Sequence, residues 1–102
     1  MKIELTVIER IMLSQLLPKE GNFTNLKLLR AVKEELSFNE DENKKLDFRL
    51  VGDKTVWNDV NILREFNFGN VISGIISTEL EKLNNEEKLL EEHLTLYEKL
   101  IN

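Results

Sequence analysis

The segment LLPKEGNF, residues 16–23, contains the only proline of the chain and one of its four glycines. Proline disfavours the helical conformation in the residue before it, so a helix that reaches Leu16 should end here. Apolar residues recur at helical spacing on both sides of the segment. Before it stand Ile8, Ile11, Met12 and Leu16, and after it stand Leu28, Leu29, Val32 and Leu36. Because few residues separate the two patterns, the sequence predicts a helical hairpin interrupted at Pro18.

The start of the first helix is marked by residues with capping chemistry. Thr6 is followed three residues later by Glu9, a spacing at which each side chain accepts a hydrogen bond from a free backbone N–H group. We therefore expect the helix to begin at Val7. Polar and apolar residues alternate over residues 2–6, which predicts a short N-terminal strand.

The second helix is predicted from the segment FTNLKL. Thr24 is the predicted N-cap, because a threonine oxygen can accept a hydrogen bond from the first turn. Phe23 and Leu28 occupy the two positions of a hydrophobic staple, in which apolar side chains on either side of the cap pack together.

The central third of the chain predicts a short helix followed by strands. Asn39 can cap a helix that has acidic residues in its first turn and Lys44 and Lys45 near its end. Gly52 and Asp53 have the chemistry of a tight hairpin turn. The predicted strands cover residues 46–50, 54–58 and 65–68, and residues 59–63 are ambiguous.

The last third predicts two helices. A helical stripe follows Gly69, formed by Val71, Ile72, Ile75, Ile76, Leu80 and Leu83. Asn85 is the predicted N-cap of a final helix, with Glu86 and Glu87 in its first turn. The order of elements predicts an α+β fold in a single domain of residues 1–102. It consists of a short N-terminal strand, a helical hairpin, a small antiparallel sheet and a C-terminal helical hairpin.

Composition narrows the classes of function. The absence of cysteine excludes disulfides, thiolate chemistry and cysteine-based zinc sites. A net charge of −5 argues against a nucleic-acid partner, which usually binds a basic face. No apolar run approaches the roughly 18 residues of a membrane span, and the N-terminus lacks the apolar centre of a signal peptide. We expect a cytoplasmic protein that binds neither membranes nor nucleic acids.

The residue patterns do not match an enzyme site. His93, the only histidine, stands four residues before Tyr97, so the two share a helix face. They could form a proton-transfer pair, but we favour a packed ring on an amphipathic helix because no cleft or orienting partner can be assigned. The glycines form no phosphate loop, and the acidic segment NEDEN lacks the spacing of a calcium loop. We predict a non-enzymatic protein with no catalytic residue, no metal ligand and no cofactor.

Trp57 is the one residue that suggests a small-molecule or partner contact. It is the only tryptophan and lies on a predicted strand near a turn. Such a residue can stack on a ligand or partner, and it can equally be a core anchor. Arg49 and Arg64 are basic residues of the same region and are the candidate companions of Trp57. The aromatic residues expected on the core face of the sheet are Phe48, Phe66 and Phe68.

The final helix gives the clearest interaction signal. Apolar residues occur on more than one of its sides, whereas a helix packed only on its own core usually has one stripe. The candidate interface residues are Leu90, Leu94, Tyr97 and Ile101. A second copy of the chain is the expected partner, because most soluble oligomers are homo-oligomers. The alternative is a helix sunk deep in its own core. Gly74 in the preceding helix could permit close approach of a neighbouring helix.

Three segments give the chain a family resemblance. The segments LTVIERIMLSQLLPKEGNF, LKLLRAVKEEL and EEHLTLYEKL, with Trp57 and REFNFG between them, resemble a family of small uncharacterised proteins encoded by bacteriophages and prophages. The resemblance covers most of the chain. It implies a phage-encoded protein that acts in a bacterial cytoplasm. It assigns no activity, and therefore no functional residue.

The sequence leaves three functions open. The first is a small acidic protein that acts by protein–protein interaction, with itself and with a host or phage protein, and that interferes with host defence or host machinery. The second is a protein that binds or sequesters a small molecule such as a nucleotide signal, through Trp57, Arg49 and Arg64. The third is a structural or assembly component of the virion.

Overall fold

The structure, a computed structural model, describes residues 2–58 and 60–101 and confirms the α+β fold. The helices are α1 (Val7–Leu16), α2 (Phe23–Leu36), α3 (Glu40–Leu46), α4 (Asn70–Asn85) and α5 (Leu94–Ile101), and a 3-10 turn (Glu91–His93) precedes α5. The strands are β1 (Lys2–Leu5), β2 (Arg49–Val51), β3 (Lys54–Val56) and β4 (Arg64–Asn67). Of the ambiguous segment 59–63, Asp59 lies outside the described residues, and residues 60–63 form neither helix nor strand.

β1 and β4 bring the start of the chain beside its middle. They pair antiparallel, with Ile3 opposite Phe66. Ile3, Leu5 and Phe66 are buried while the intervening residues of both strands are exposed, which is the alternation of a sheet covered on one face. Phe68 follows β4 and stacks on Phe66 with ring centroids 6.0 Å apart. The strands predicted at residues 2–6 and 65–68 are therefore confirmed as β1 and β4.

The predicted hairpin around Gly52 forms, but as a separate ribbon of β2 and β3 rather than as part of one sheet. Gly52 has φ +65°, a left-handed conformation that glycine adopts without a steric penalty. The prediction that the strand begins at residue 46 is wrong, because α3 continues through Leu46 and Asp47 closes it in the left-handed region. The ribbon lies largely in solvent, and Leu50 is 78% exposed.

The core lies where the β1–β4 sheet meets the helices. Its buried side chains include Leu5, Leu13, Leu17, Leu29, Val32, Leu36, Phe68, Ile72, Ile76, Leu80 and Leu96. The predicted stripe of α1 is displaced, since its four apolar residues are only half-buried. The buried face of α1 instead carries Val7 and Leu13 together with the charged residues Glu9 and Arg10. Hydrogen bonds from the Arg10 guanidinium and to Oε1 of Glu9 offset the burial of these charges, while Glu9 Oε2 is buried without a hydrogen bond among the described residues.

The N-cap of α2 lies two residues earlier than predicted. Asn22 is the N-cap in place of Thr24, and its side-chain oxygen accepts a hydrogen bond from the Asn25 N–H group at 2.9 Å. Asparagine is among the strongest N-cap residues, so the first available cap is used. Phe23 therefore occupies the first helical position and is 80% exposed, while Leu28 is 40% exposed. The predicted staple between these two residues is wrong.

The predicted cap of the final helix is also wrong. Asn85 is the last residue of α4, and the chain then closes that helix with a Schellman motif. Glu87 takes a left-handed φ of 57°, and the Lys88 N–H group donates to the Leu83 carbonyl at 2.8 Å. α5 begins only at Leu94. The C-terminal hairpin is present, with a longer connection than the sequence predicts.

Within residues 2–58 and 60–101, no helix is both long enough and apolar enough to cross a membrane.

Candidate functional site

A buried arginine joins three helices at one end of the core. The Arg10 side chain of α1 has no exposed surface and forms an ion pair with Glu42 of α3 at 2.7 Å. Its guanidinium also donates to the backbone carbonyls of Leu36 and Ser37, at 3.2 and 2.7 Å. Those carbonyls close α2, where no helical N–H group remains for them. The ring of Phe38 covers the guanidinium, with the central carbon 4.1 Å from the ring centroid. Arg10 therefore fixes the ends of α2 and α3 to α1.

Glu42 receives a second arginine from β4. Arg64 forms an ion pair with Glu42 at 3.3 Å, donates to the Glu35 carbonyl and lies over the Phe66 ring at 4.7 Å. The hydrogen bond from Arg10 is the main cause that lowers the pKa of Glu42 below its ordinary value. Burial opposes this shift, and the Asn39 N–H group and the charge of Arg64 add to it. We call Arg10, Glu42 and Arg64 the charged junction.

A second buried carboxylate ties the C-terminus to the N-terminus. Glu9 Oε1 accepts hydrogen bonds from the Thr6 N–H group at 2.9 Å and from Lys99 Nζ at 2.6 Å. Lys99 also donates to the Glu4 carbonyl at 2.9 Å. Burial raises the pKa of Glu9, but the hydrogen bonds from Lys99, Thr6 and Thr95 outweigh it and leave the pKa below its ordinary value. This contact holds α5 against the start of α1.

An open furrow with apolar and polar lining residues runs along α4. It consists of two adjoining hollows of about 340 and 450 Å³ that share Asn70 and Val71. α2 forms the other wall with Leu28 and Val32. Asn70 and Glu79 mark the ends of the furrow on α4, so it extends for about 14 Å at the helical rise of 1.5 Å per residue. We call this surface the α4 furrow.

Gly74 stands in the floor of the α4 furrow. An added Cβ at this position would meet no atom of the described chain within 4 Å, apart from the backbone of its own helix turn. Neither a positive φ nor a crowded neighbour therefore requires glycine here. A glycine inside a helix lowers stability by roughly 0.5–1 kcal/mol relative to alanine. Contacts among the described residues therefore do not require a small residue at this position.

The residues beside Gly74 are suited to apolar contact. Val71 is 54% exposed, and Ile75 is half-buried one turn later. The Thr78 hydroxyl donates to the Gly74 carbonyl at 2.9 Å, so its polar atom is already satisfied within the helix. Spacings of three and four residues place these side chains on one face of α4. Val71, Gly74 and Ile75 therefore form an apolar strip, and Asn25, Asn70 and Glu79 line the same hollow.

Of the three residues predicted to bind a small molecule, Trp57 and Arg49 lie near each other at the β2–β3 ribbon, and Arg64 belongs to the charged junction. Trp57 follows β3, is half-buried, and packs on Phe48 with ring centroids 5.8 Å apart. Phe48 in turn packs on Phe38, so Phe48 belongs to this aromatic cluster rather than to the core face of the β1–β4 sheet. Arg49 donates to the neighbouring Asn58 side chain at 3.2 Å, whereas Arg64 belongs to the charged junction.

His93 lies in the 3-10 turn rather than inside a helix. Its ring is buried, and Nδ1 accepts a hydrogen bond from the Leu90 N–H group at 2.9 Å. This bond closes the turn that leads into α5. Tyr97 is half-buried against the core. The histidine therefore has a local structural role at the start of α5.

The predicted interface residues divide into two sets. Tyr97 and Ile101 pack against the core, together with Leu89 and Leu100. Leu90 and Leu94 are 55% and 50% exposed, and we call them the C-terminal ridge. The buried anchor of α5 is Leu96, which is fully enclosed.

The sequence reasoning missed the charged junction and only partly saw the furrow. Arg10 lies on one helix face with Val7 and Leu13, and a charged residue between buried apolar ones was the available signal. Gly74 was recognised as a point of close approach, but its partner wall on α2 was not. Among residues 2–58 and 60–101, no three histidine, aspartate or glutamate side chains are placed to share a metal ion.

Comparison of the chain with protein-family models, with curated proteins and with solved structures found no match.

Proposed function

We propose that this chain acts without catalysis, by binding an amphipathic helix of a partner protein in the α4 furrow. The observation that carries the proposal is Gly74, an exposed mid-helix glycine that the fold does not require. Exposed Val71 and Leu28 on the two walls supply apolar contact area. A groove between two helices is a common receptor for a third helix, which inserts apolar side chains at three- and four-residue spacing.

The resemblance to phage-encoded proteins supplies the setting of the proposal. In a bacterial cytoplasm the partner is a host or phage protein, and occupation of one of its helices interferes with host defence or host machinery. A virion component would instead use the furrow for assembly, and the chain would then be found in purified particles.

The test uses two variants that place a lysine on different exposed apolar sites. Val71→Lys puts a charge into the furrow, whereas Leu50→Lys puts the same charge on the β2–β3 ribbon. The tagged wild-type chain and Leu50→Lys should capture the same protein from bacterial lysate, and crosslinks should map it to α2 and α4. Val71→Lys should lose it. Equal capture by both variants, or crosslinks confined to the ribbon, would reject the furrow as the binding surface.

Self-association is the second part of the proposal and uses the C-terminal ridge. Exposure of Leu90 and Leu94 supports it, because a ridge of two leucines can pair with its own copy across a two-fold axis. Analytical ultracentrifugation should give a dimer for the wild type and a monomer for Leu90→Lys/Leu94→Lys. A monomeric wild type would remove this part and leave the furrow proposal intact.

The alternative of small-molecule binding at Trp57, Arg49 and Arg64 has weaker support. Arg64 is already engaged by Glu42, and Trp57 is packed on Phe48. A different surface of the chain is better suited to an anionic ligand.

A further inference from the structure

A cleft with a basic wall lies along α2 beside the α4 furrow, with which it shares Pro18 and Leu29. Its volume is about 480 Å³, within the range of small-molecule sites. Pro18 and Lys19 of the α1–α2 connection form one side, and α2 forms the other. Leu26 and Leu29 give the cleft an apolar floor. The connection that ends α1 at Pro18 therefore also shapes a concave surface.

Positive charge is concentrated in this cleft although the chain as a whole is acidic. Lys19, Arg30 and Lys33 line it, against one carboxylate, Glu34. Within residues 2–58 and 60–101, none of the three cations forms an ion pair. Arg30 and Lys33 are three residues apart on α2 and share a face. These cations are available to a ligand, in contrast to Arg10 and Arg64.

An apolar surface adjoins the cations. Leu26 is 37% exposed, and Phe23 is 80% exposed. Phe23, Leu26 and Arg30 have the spacing i, i+3 and i+7, which places them along one face of α2. A ligand with an anionic group on Arg30 and Lys33 could therefore lay an apolar or flat body toward Leu26 and Phe23.

We propose that this cleft binds a phosphorylated small molecule with an aromatic body, the chemical class of the nucleotides. The planar guanidinium of Arg30 suits bidentate contact with phosphate oxygens, and the lysines add charge. Phe23 lies outside the cleft on the same face of α2, and its exposed ring is a surface on which a base can stack. The residues of this site are separate from Trp57, Arg49 and Arg64, and the substituted cations do not line the α4 furrow.

The experiment titrates the isotope-labelled chain with ATP, adenosine and inorganic phosphate, and follows amide resonances. ATP should give saturable shifts at Lys19, Arg30 and Lys33, and should bind more tightly than either fragment. Arg30→Gln/Lys33→Gln should weaken ATP binding about tenfold or more, because it removes charge-assisted hydrogen bonds. The matched control is Lys44→Gln/Lys45→Gln, which removes the same charge from the exposed face of α3 and should bind ATP like the wild type.

Three outcomes would overturn the proposal. The first is the absence of saturable shifts with all three probes at millimolar concentration. The second is an equal loss of affinity in the two double variants, which would indicate only a general charge effect. The third is phosphate binding as tight as that of ATP, which would remove the role of Phe23 and Leu26. None of these outcomes bears on capture of a protein by the α4 furrow.

Discussion

The charged junction buries charged side chains, whereas the α4 furrow exposes apolar ones. At the junction, Arg10 and Glu42 are charged and buried, but hydrogen bonds and ion pairs satisfy them. At the furrow, Val71 and Leu28 are apolar and exposed, and a Cβ added at Gly74 would meet nothing in the described part of the chain within 4 Å, apart from its own helix backbone. The buried charges are explained entirely by contacts within the chain. Contacts within the described chain do not explain the exposed apolar residues. This contrast is the physical reason for proposing that a partner binds at the furrow.

The largest expected effect comes from removing the arginine of the junction. Arg10→Ala leaves Glu42 buried with only Arg64 as its cation and leaves the last carbonyls of α2 without a donor. Breaking a buried ion pair in this way typically costs about 3–5 kcal/mol in the free energy of unfolding. Urea unfolding should show this loss. The exposed control Arg49→Ala should change stability by less than about 1 kcal/mol, and equal losses in the two variants would show that the junction is not a structural centre.

The next largest effect is the pH dependence of folding stability, which Glu42 contributes. The pKa of Glu42 is lower in the folded chain than its ordinary value of 4.5, so the folded state favours the charged form. The resulting stability is present above about pH 4.5 and is lost as the pH falls through the folded pKa. Glu42→Gln should differ most from the wild type near neutral pH, and the gap should narrow in acid. Glu9 has a shift of the same sign and keeps some acid sensitivity in the variant. A gap that stays constant from pH 7 to pH 3 would contradict this account.

The smallest effect is expected at Gly74 in the α4 furrow. Gly74→Ala adds a Cβ where the chain has open space, so helix propensity should decide the outcome. The variant should be more stable than the wild type by about 0.5–1 kcal/mol. Thermal or urea unfolding can resolve this gain. A destabilised Gly74→Ala would mean that the fold itself requires glycine, and the furrow would lose its main support.

Local signals in the sequence predicted local structure well. The capping box of Thr6 and Glu9, the cap at Asn39 and the turn at Gly52 are all confirmed, because each depends on residues within a few positions. Where two residues could each cap a helix or where a segment could either end or begin one, local patterns did not predict the outcome. Asn22, rather than Thr24, is the N-cap of α2. The segment after Asn85 ends α4 instead of beginning a new helix.

The sites depend on contacts between distant parts of the chain. Arg10 and Glu42 are 32 residues apart, so no local pattern in the sequence pairs them. The second wall of the furrow comes from α2, which no pattern within α4 can indicate. The C-terminal ridge was predicted as part of a larger set, since an excess of apolar residues does not tell which ones the core will take. Leu96 took the buried position of α5, and Leu90 and Leu94 remained exposed.

Partner capture by Gly74→Leu tests most directly whether the α4 furrow binds the partner helix. Leucine ranks next to alanine in helix propensity, and glycine lies about 0.8–1 kcal/mol below alanine, so the substitution should strengthen the helix while its side chain fills the floor of the furrow. We expect Gly74→Leu to melt no lower than the wild type and to fail to capture the protein that the wild type and Leu50→Lys retain. Undiminished capture by a folded Gly74→Leu would contradict the assignment of the furrow as the binding site.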